Sequence, residues 1–530
     1  MLFNSLPFML MFLPLSLGGY YLLGAIRPMA AAAWLCIASL VFYGWWDPHF
    51  VVLLLASITF NYVVSLGILA TESRPRAQLW ILAGGIVANL SLLFYYKYLV
   101  ALLGFLGDYG LVSHSVSDMI LPLGISFFTF TQLGFLLDCR AGVVRERGFV
   151  SYVLFVTFFP HLIAGPILHH KEMMPQFANR ENYRFKAENL SIGVTLFVIG
   201  LAKKVLLADS IAPWAEAGFN QPGDQQFLGA WGTALAYALQ LYFDFSGYSD
   251  MAIGLAKMFG ISFPLNFNSP FKATGIIEFW QRFHMTLTRY LTAYLYNPVA
   301  LAVTRARARK GLPVGRKATK TVRGFSGMIL FPTVFTMGLA GVWHGAGLQF
   351  LIFGLLHGFY LTINHAWRQF GPARGETSGF LVRAGFVLLT FLCVVVALLF
   401  FRAHSTSDAF SLIAGMIGLH GLESLQPVLF PIQALLGGSD AWTSSEVIRL
   451  MIERWSQGLL IAALLAIVWC APNSNQMMSV YAPSLEGVDD VAPRWLRWRP
   501  TLSWALITAM VLFYAMLHLH KTARFLYFQF

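Results

Sequence analysis

Long runs of uncharged residues recur along the chain and alternate with short polar segments. They include residues 1–26, 48–71, 225–243, 384–401 and 501–520. Each run reaches the roughly 18–20 residues that an α-helix needs to cross a ~30 Å hydrocarbon core. Counting such runs predicts about eleven or twelve transmembrane or re-entrant helices. Because the strands of a membrane β-barrel would alternate polar and apolar residues, the predicted fold class is an all-α polytopic membrane protein.

Two apolar segments carry signs of a break within the membrane. Residues 149–168 are apolar but have basic residues on both sides, and the run FPHLIAGP at 159–166 is suited to turn the chain back. Residues 324–367 contain no Asp, Glu, Lys or Arg, which suits two spans broken near 343–347. Non-helical backbone at membrane depth is tolerated only inside protein or beside a wet cavity. We therefore expect the helices to surround a central funnel or tunnel.

The basic residues predict how the chain is oriented in the membrane. The formal net charge is +12, and one loop near residues 303–323 holds a cluster of the basic residues. These are Arg305, Arg307, Arg309, Lys310, Arg316, Lys317, Lys320 and Arg323. Cytoplasmic loops carry an excess of Lys and Arg, and such clusters also contact anionic membrane lipids. The loop is therefore predicted to be cytoplasmic, with Asp47, Asp108 and the N-terminus outside, and no nucleic-acid partner is expected.

The whole chain, residues 1–530, is predicted to form a single integral membrane domain. Residues 405–453 mix Gly, Pro and polar residues, which indicates a loop with a short re-entrant or interfacial helix. The four cysteines lack metal-ligand or redox spacing, and no His-x-x-x-His pair occurs. No metal site is expected from these spacings. The Gly-x-Ser-x-Gly elbow of serine hydrolases and the phosphate-binding loop are absent as well.

Among the thirteen histidines, His344 has the most unusual setting. It lies in the middle of the long uncharged stretch, after Trp343 and before Gly345. A neutral imidazole can take a proton from a hydroxyl or thiol, and its pKa near 6.5 suits a general base. Spacing alone leaves a structural histidine open as the alternative.

A second candidate, His284, closes the segment EFWQRFH at 278–284. If this segment is helical, Glu278 and Arg282 form an i,i+4 pair in the favoured order. Trp280 and His284 then share a face. The simpler interpretation is an amphipathic helix at the membrane interface. Upstream, the segment YFDFSGYSD at 242–250 places two aspartates among apolar residues, which indicates a polar lining or a hydrogen-bonded structural network.

These segments together resemble the membrane-bound O-acyltransferases, in particular the bacterial branch that acetylates exported polysaccharides such as alginate and cellulose. The resemblance covers nearly the whole chain. The matching segments are MLFNS at 1–5, GISFFTF at 124–130, FPHLIAGP at 159–166, residues 242–254, LNFNSPF at 265–271, residues 278–288 and GVWHG at 341–345. Each alone is a weak signal, whereas their combination is specific.

The resemblance implies the activity, the donor and the site. The family histidine falls on His344, and a second, more variable polar position of the family falls on His284. The residues expected to line the tunnel or position the reacting groups are Trp280, Arg282, Asp244, Ser246, Asn268, Trp343 and Gly345. Acetyl-CoA from the cytosol would be the donor, and the protein would lie in the bacterial inner membrane. A periplasmic acetyltransferase of the SGNH type, within a polysaccharide biosynthesis and export complex, would complete the transfer.

The aromatic tail at residues 525–530, FLYFQF, carries one further resemblance. It is similar to the Phe-x-Tyr-x-x-Phe tail of the small peptide of the teichoic-acid D-alanylation system, in which the tyrosine is thought to carry the acyl group. By this similarity, Tyr527 would accept acetyl and present it to the periplasmic partner. The alternative is an interfacial belt of aromatic residues.

The mechanism predicted on this basis uses His344 to take a proton from the acceptor hydroxyl as it attacks the thioester. General-base assistance typically contributes about 10²–10⁴-fold. His284 would orient the acceptor or help to stabilise the oxyanion. Two other classes of function remain as alternatives: a transporter with proton-relaying histidines and a broken-helix solute site, and a scaffold without catalysis. The sequence does not identify the polysaccharide.

Overall fold

In the computed structural model, the residues described are 1–108, 120–144, 146–371, 379–422, 445–488, 491–519 and 525–526, with only the backbone described for 445–455. Within them the chain is helical, and the β pairing is an isolated antiparallel bridge between Phe267 and Phe283. Six helical segments there are long and apolar enough to cross a membrane. They are Phe8–Ile26, His49–Ala70, Pro75–Lys97, Ala187–Asn220, Val322–His344 and Phe380–Arg402. A bent pair, Ser456–Cys470 with Ser474–Tyr481, adds a seventh candidate. The predicted all-α membrane fold is confirmed, and the described residues provide six or seven candidate spans by length and composition, compared with the eleven or twelve transmembrane or re-entrant helices predicted.

The first part of the chain forms a group of apolar helices that pack against one another. They are α1 (Leu13–Ile26), α2 (Pro28–Gly44), α3 (His49–Ala70), α4 (Pro75–Lys97), α5 (Leu99–Asp108) and α6 (Ile125–Arg140). Side-chain amides link α3 to α4, because Asn61 and Asn89 donate to each other's oxygens at 3.1 and 2.7 Å. Such bonds between helices satisfy polar groups that lipid cannot.

The predicted break in residues 149–168 is confirmed. The helices of this region are α7 (Phe149–Thr157), α8 (Phe159–Leu162) and α9 (His170–Ala178). Between α8 and α9 the buried backbone is not helical, so its polar groups need partners from other elements. The backbone N–H of Ile167 donates to Thr286 Oγ1 at 3.0 Å. This contact ties the broken segment to the region of His284.

The longest helix lies at the centre of the bundle and is buried over most of its length. This is α12 (Phe227–Met258), which packs against α10 (Ala187–Ala202) and α11 (Asp209–Asn220). The contact between α10 and α12 is close because Gly200 faces Gly247, where a Cβ on Gly200 would lie 2.5 Å from the Gly247 carbonyl oxygen. Small residues allow such close helix contacts in membrane proteins.

The helices that carry the candidate site follow α12. They are α13 (Ile276–Trp280), α14 (Met285–Leu291), α15 (Asn297–Arg309), α16 (Val322–Phe325), α17 (Phe331–His344) and α18 (Leu348–Phe370), with π-helical turns at Thr292–Tyr296 and Ser326–Leu330. The predicted break of the uncharged stretch is confirmed, since α17 ends at His344 and α18 begins three residues after Gly345.

The remaining helices lead back to the centre of the bundle. They are α19 (Phe380–Arg402), α20 (Thr406–Met416), α21 (Ser445–Cys470), α22 (Ser474–Met478) and α23 (Leu502–Leu517). The short helix predicted for residues 405–453 corresponds to α20, while residues 423–444 lie outside the described part. After α23, Phe525 and Leu526 are 1% and 5% exposed. The start of the aromatic tail is therefore packed in the core.

Candidate active site

His344 is the last residue of α17 and lines a cavity of about 120 Å³. Trp46 and Ile120, which are 42% and 65% exposed, line the same cavity, so it reaches the surface. Both residues lie near loops that the charge pattern predicts to be outside. The imidazole packs against the rings of Phe401 and Phe353, at centroid distances of 5.0 and 6.0 Å. None of the described residues forms a hydrogen bond with it.

Two residues hold the C-terminal end of α17: the last residue of α4 and the residue that follows it. Lys97 Nζ donates to the Trp343 carbonyl at 2.6 Å, and Tyr98 Oη donates to the Val342 carbonyl at 2.9 Å. The last carbonyls of a helix lack partners within it, and a cation near that end is favourable. Sequence reasoning missed Lys97, although it is the only charged residue between positions 77 and 107. An isolated charge in an apolar stretch is costly within a membrane, and this could have marked Lys97 as a residue with a specific partner.

The turn that follows His344 depends on the absence of a side chain at Gly345. Its backbone is extended, with φ −171° and ψ 162°. A Cβ on Gly345 would lie 2.2 Å from the ring of Phe350 in the first turn of α18. This close approach fixes α18 directly beside the end of α17. The Trp343 ring lies beside the His344 ring at 4.7 Å and stacks on the ring of Phe130 at 4.9 Å, measured between ring centroids.

The predicted continuous helix through His284 is wrong. Helix α13 ends at Trp280, and His284 is the N-terminal cap of α14 with a left-handed backbone, φ 45° and ψ 51°. The chain turns here because residues 266–268 pair with it: the N–H of Asn268 donates to the Arg282 carbonyl at 2.8 Å. Positive φ at a residue other than glycine costs on the order of 1–3 kcal/mol and is frequent at functional sites. Trp280 and His284 therefore do not share a helical face.

The side chain of His284 is buried and contacts one polar group and one ring. Its Nδ1 lies 3.1 Å from Asn266 Oδ1, and the Phe245 ring meets it edge-on at 4.8 Å. Its Nε2 is buried without a hydrogen-bond partner among the described residues. In the sequence, Asn266 is visible only as part of the segment LNFNSPF at 265–271, which predicts no role for it.

The predicted ion pair between Glu278 and Arg282 is confirmed, with Arg282 Nη2 at 2.9 Å from Glu278 Oε1. Arg282 Nη1 also donates to the carbonyl of Asn268 at 3.3 Å. The side chain of Asn268 accepts a hydrogen bond from Asn473 at 2.9 Å. Arg282 and Asn268 thus connect the turn before His284 to the loop after α21.

Trp280 and His357 form the polar contact that encloses the site on one side. The indole N–H of Trp280 donates to His357 Nδ1 at 3.3 Å, which gives His357 a structural hydrogen bond. The ring of Phe353 packs against both His357 and His344, at centroid distances of 4.8 and 6.0 Å. Ring contacts through Trp280, His357 and Phe353 thus connect the turn before His284 with His344, although 60 residues separate the two histidines in the sequence.

The aspartates of α12 belong to a network of buried ion pairs. Lys204 Nζ lies 2.6 Å from Asp244 Oδ1 and 2.8 Å from Asp209 Oδ1, while Lys203 pairs with Asp250 at 2.6 Å. The predicted structural network in this segment is confirmed. Lys203 and Lys204 were not predicted as members of this network. As two adjacent charges within the apolar run 189–208, they could have been expected to need buried acidic partners.

The same network holds the start of the aromatic tail. The backbone N–H of Leu526 donates to Asp244 Oδ2 at 3.0 Å, and Lys204 Nζ lies 4.6 Å from the centre of the Phe525 ring. Tyr527 lies outside the described residues. Ser246, two residues after Asp244 on α12, is buried, and its hydroxyl has no hydrogen-bond partner in the described part of the chain.

Comparison with known proteins gives consistent matches. The profile of the membrane-bound O-acyltransferase family matches residues 137–312. A peptidoglycan O-acetyltransferase of Helicobacter pylori is 40% identical over 457 residues, which cover 80% of this chain and 81% of the relative. A probable alginate O-acetylase of Pseudomonas aeruginosa is 33% identical over 509 residues, covering 92% and 85%. A probable alginate O-acetylase of Azotobacter vinelandii is 38% identical over 423 residues, covering 78% of each chain.

Proposed function

The chain belongs to the membrane-bound O-acyltransferase family, and from this premise we propose that it O-acetylates an exported polysaccharide or cell-wall glycan. Acetyl-CoA in the cytosol is the proposed donor, and the bacterial inner membrane is the proposed location. Family membership makes the chain an acyltransferase, which removes the transporter alternative. The names of the relatives support alginate and peptidoglycan as acceptor polymers. Cellulose stays a prediction that none of these relatives supports.

One observation carries the role of His344 as the general base. Its imidazole lines a cavity that reaches the surface and is hydrogen-bonded to none of the described residues. An imidazole that forms no hydrogen bond with the protein can form one with a substrate, whereas an imidazole already hydrogen-bonded to the protein cannot do so with the same nitrogen. In the proposed reaction the acceptor hydroxyl gives its proton to His344 while its oxygen attacks the thioester carbonyl. The carbon–sulfur bond then breaks, and the CoA thiolate takes the proton from the imidazolium.

Two roles are open to His284 in this reaction. It orients the acceptor by accepting a hydrogen bond, or it stabilises the oxyanion by donating one. Its buried Nε2 without a partner in the described chain is compatible with contact to a substrate. Trp280 supports the site through His357, and Trp343 and Gly345 support it through the end of α17.

The acceptor at His344 is proposed to be the hydroxyl of Tyr527. The burial of Phe525 and Leu526 supports this proposal because it brings the tail into the core of the bundle. The size of the cavity supports it too. At about 120 Å³ the cavity is smaller than the roughly 300–1,000 Å³ typical of ligand pockets, so it suits a slender group better than a polysaccharide chain.

A second enzyme is proposed to take the acetyl group from the tyrosyl ester. This partner is a periplasmic acetyltransferase of the SGNH type within the polysaccharide export complex. It would select the sugar hydroxyl, which explains why the membrane protein itself needs no sugar-sized cavity at His344.

Replacing His344 with Ala tests the proposal. The purified protein in lipid nanodiscs is incubated with acetyl-CoA labelled in the acetyl group, and release of CoA and labelling of the protein are measured. The variant is expected to lose about 10²–10⁴-fold in the rate of CoA release. Replacing Tyr527 with Phe is expected to abolish labelling of the protein.

The control is His365→Ala, on α18 but away from the cavity, which is expected to keep the rate of the unmodified protein. The thermal unfolding midpoints of all three variants show whether each is folded. If folded His344→Ala protein releases CoA at the rate of the control, His344 is not the base. If the unmodified protein releases no CoA, acetyl-CoA is not the donor.

A further inference from the structure

The side-chain oxygen of Asn266 lies at the centre of a small buried hydrogen-bond network. Asn266 is 0% exposed, and its Oδ1 lies 2.9 Å from Thr286 Oγ1, 3.3 Å from Thr286 N and 3.1 Å from His284 Nδ1. The backbone carbonyl of Asn266 also accepts the N–H of Met285 at 3.0 Å. Asn266 therefore contacts three consecutive residues, from His284 to Thr286.

Backbone N–H groups fix the direction of these hydrogen bonds. An N–H can only donate, so the Asn266 atom that meets the backbone N–H of Thr286 must be the amide oxygen. The hydroxyl of Thr286 already accepts from the N–H of Ile167 at 3.0 Å. Its own hydrogen is therefore free to point at Asn266 Oδ1. Both observations identify the same amide orientation, with Nδ2 directed to Ser249 Oγ at 3.1 Å.

This orientation determines where a neutral His284 carries its proton. Since the oxygen of Asn266 only accepts, the Nδ1 that faces it must be the protonated nitrogen. In a neutral imidazole the other nitrogen then has a free lone pair and no hydrogen. That nitrogen is Nε2, which is buried and has no hydrogen-bond partner among the described residues.

We propose that Asn266 is a positioning residue that holds His284 in the Nδ1–H tautomer, so that Nε2 accepts a hydrogen bond from an O–H or N–H of the bound substrate. The proposal rests on the proposed function and chooses between the two roles open to His284. A neutral ring with its proton on Nδ1 has no hydrogen to donate to an oxyanion from Nε2. His284 is therefore an acceptor that orients the substrate, and not a part of the oxyanion site.

The backbone around His284 supports a fixed ring. The left-handed conformation of His284 is held by the pairing of residues 266–268 with 282–285, and Asn266 contributes to that pairing as well as to the side-chain contact. The same residue thus sets both the backbone position and the tautomer of His284. Thr286 and Ile167 extend the network to the broken segment between α8 and α9.

The direct test measures the tautomer in protein that contains ¹⁵N-labelled histidine. The ¹⁵N resonances of His284 are assigned by their loss in His284→Gln protein. In the unmodified protein we expect Nδ1 to have the chemical shift of a protonated nitrogen and Nε2 that of an unprotonated one. The opposite assignment overturns the proposal, and neither result depends on acetyl-CoA activity.

Variants then connect the tautomer to catalysis. Asn266→Leu, which keeps the approximate size but accepts no hydrogen bond, is expected to yield a mixture of tautomers and to lower kcat by roughly 10²-fold, with KM for acetyl-CoA unchanged. Asn266→Asp retains an acceptor oxygen toward His284 and Thr286 and is expected to restore the tautomer and most of kcat. The matched control is Asn61→Leu, which removes an equally buried amide far from the site and should change neither measurement.

Each outcome has a distinct meaning. If folded Asn266→Leu protein keeps both the Nδ1–H tautomer and its kcat, Asn266 does not position His284. If Asn266→Leu does not fold, Thr286→Val, which removes one donor of the network, is compared in its place by the same resonances. If the tautomer is as expected but no protein cleaves acetyl-CoA, the proposed function fails while the assignment of Asn266 stands.

Discussion

The ion pairs of α12 and the two histidines of the site are both buried in the helical bundle, but they differ in their partners. Lys204 is shared by Asp244 and Asp209 at 2.6–2.8 Å, and its side chain is 1% exposed. The imidazole of His344 is bonded to none of the described residues, and His284 has one ring nitrogen without a partner there. The paired groups hold helices together, whereas the unpaired ones are available to a substrate.

From this difference we expect structural roles for the paired groups and chemical roles for the two histidines. Removing one member of a buried ion pair leaves an uncompensated charge, and the cost falls on folding. Removing a neutral histidine leaves no charge behind, and if the proposed function is right the cost falls on catalysis. Stability and activity measured on the same variants should therefore sort the two classes.

The largest effect on folding is expected for Lys204→Ala. The variant leaves the carboxylates of Asp244 and Asp209 without the cation they share, which costs about 3–5 kcal/mol in buried pairs. The amount of folded protein in detergent and its thermal unfolding midpoint measure this loss. Arg184→Ala, which breaks the exposed pair with Glu181, is the control and should cost at most about 1 kcal/mol. Equal midpoints for the two variants would contradict the structural role of Lys204.

An intermediate effect is expected for Trp280→Phe. The change removes the N–H that binds His357 Nδ1 and leaves a buried acceptor unsatisfied, which costs about 1–3 kcal/mol of stability. The thermal unfolding midpoint should fall, and the rate of CoA release should fall less than in His344→Ala. A midpoint equal to that of the unmodified protein would show that the hydrogen bond to His357 is not made.

The smallest effect is expected for Glu278→Gln. This residue and Arg282 are each 26% exposed, and partly exposed ion pairs contribute at most about 1 kcal/mol. The amide oxygen of Gln still accepts the two donors of Thr274 that Glu278 accepts at 2.8 Å. A midpoint shift as large as that of Lys204→Ala would remove the distinction between buried and partly exposed pairs.

Features that depend on local composition were predictable from the sequence. The break between α17 and α18 follows from an uncharged stretch too long for one span and from Gly345, which allows α18 to approach. The break near Pro160 follows from basic residues on both sides of an apolar run. In each case the signal lies within the segment that shows the feature.

Features that depend on contacts between distant segments were not predictable. The spacing of Glu278 and Arg282 suits a helix. It does not indicate that residues 266–268 pair with residues 282–285 and end that helix early. The role suggested for Asn266 likewise requires Thr286 and Ile167 to lie beside it, which only the folded chain determines. Lys97 and Lys204 were visible as isolated charges, but their partners were not.

The left-handed backbone of His284 limits which side chains evolution can place at this position. Histidine, asparagine and aspartate tolerate positive φ better than most residues, and β-branched side chains are strongly disfavoured there. Asparagine would keep the turn and still offer an amide oxygen as an acceptor. In homologues that lack this histidine, asparagine is therefore the replacement that the backbone itself favours.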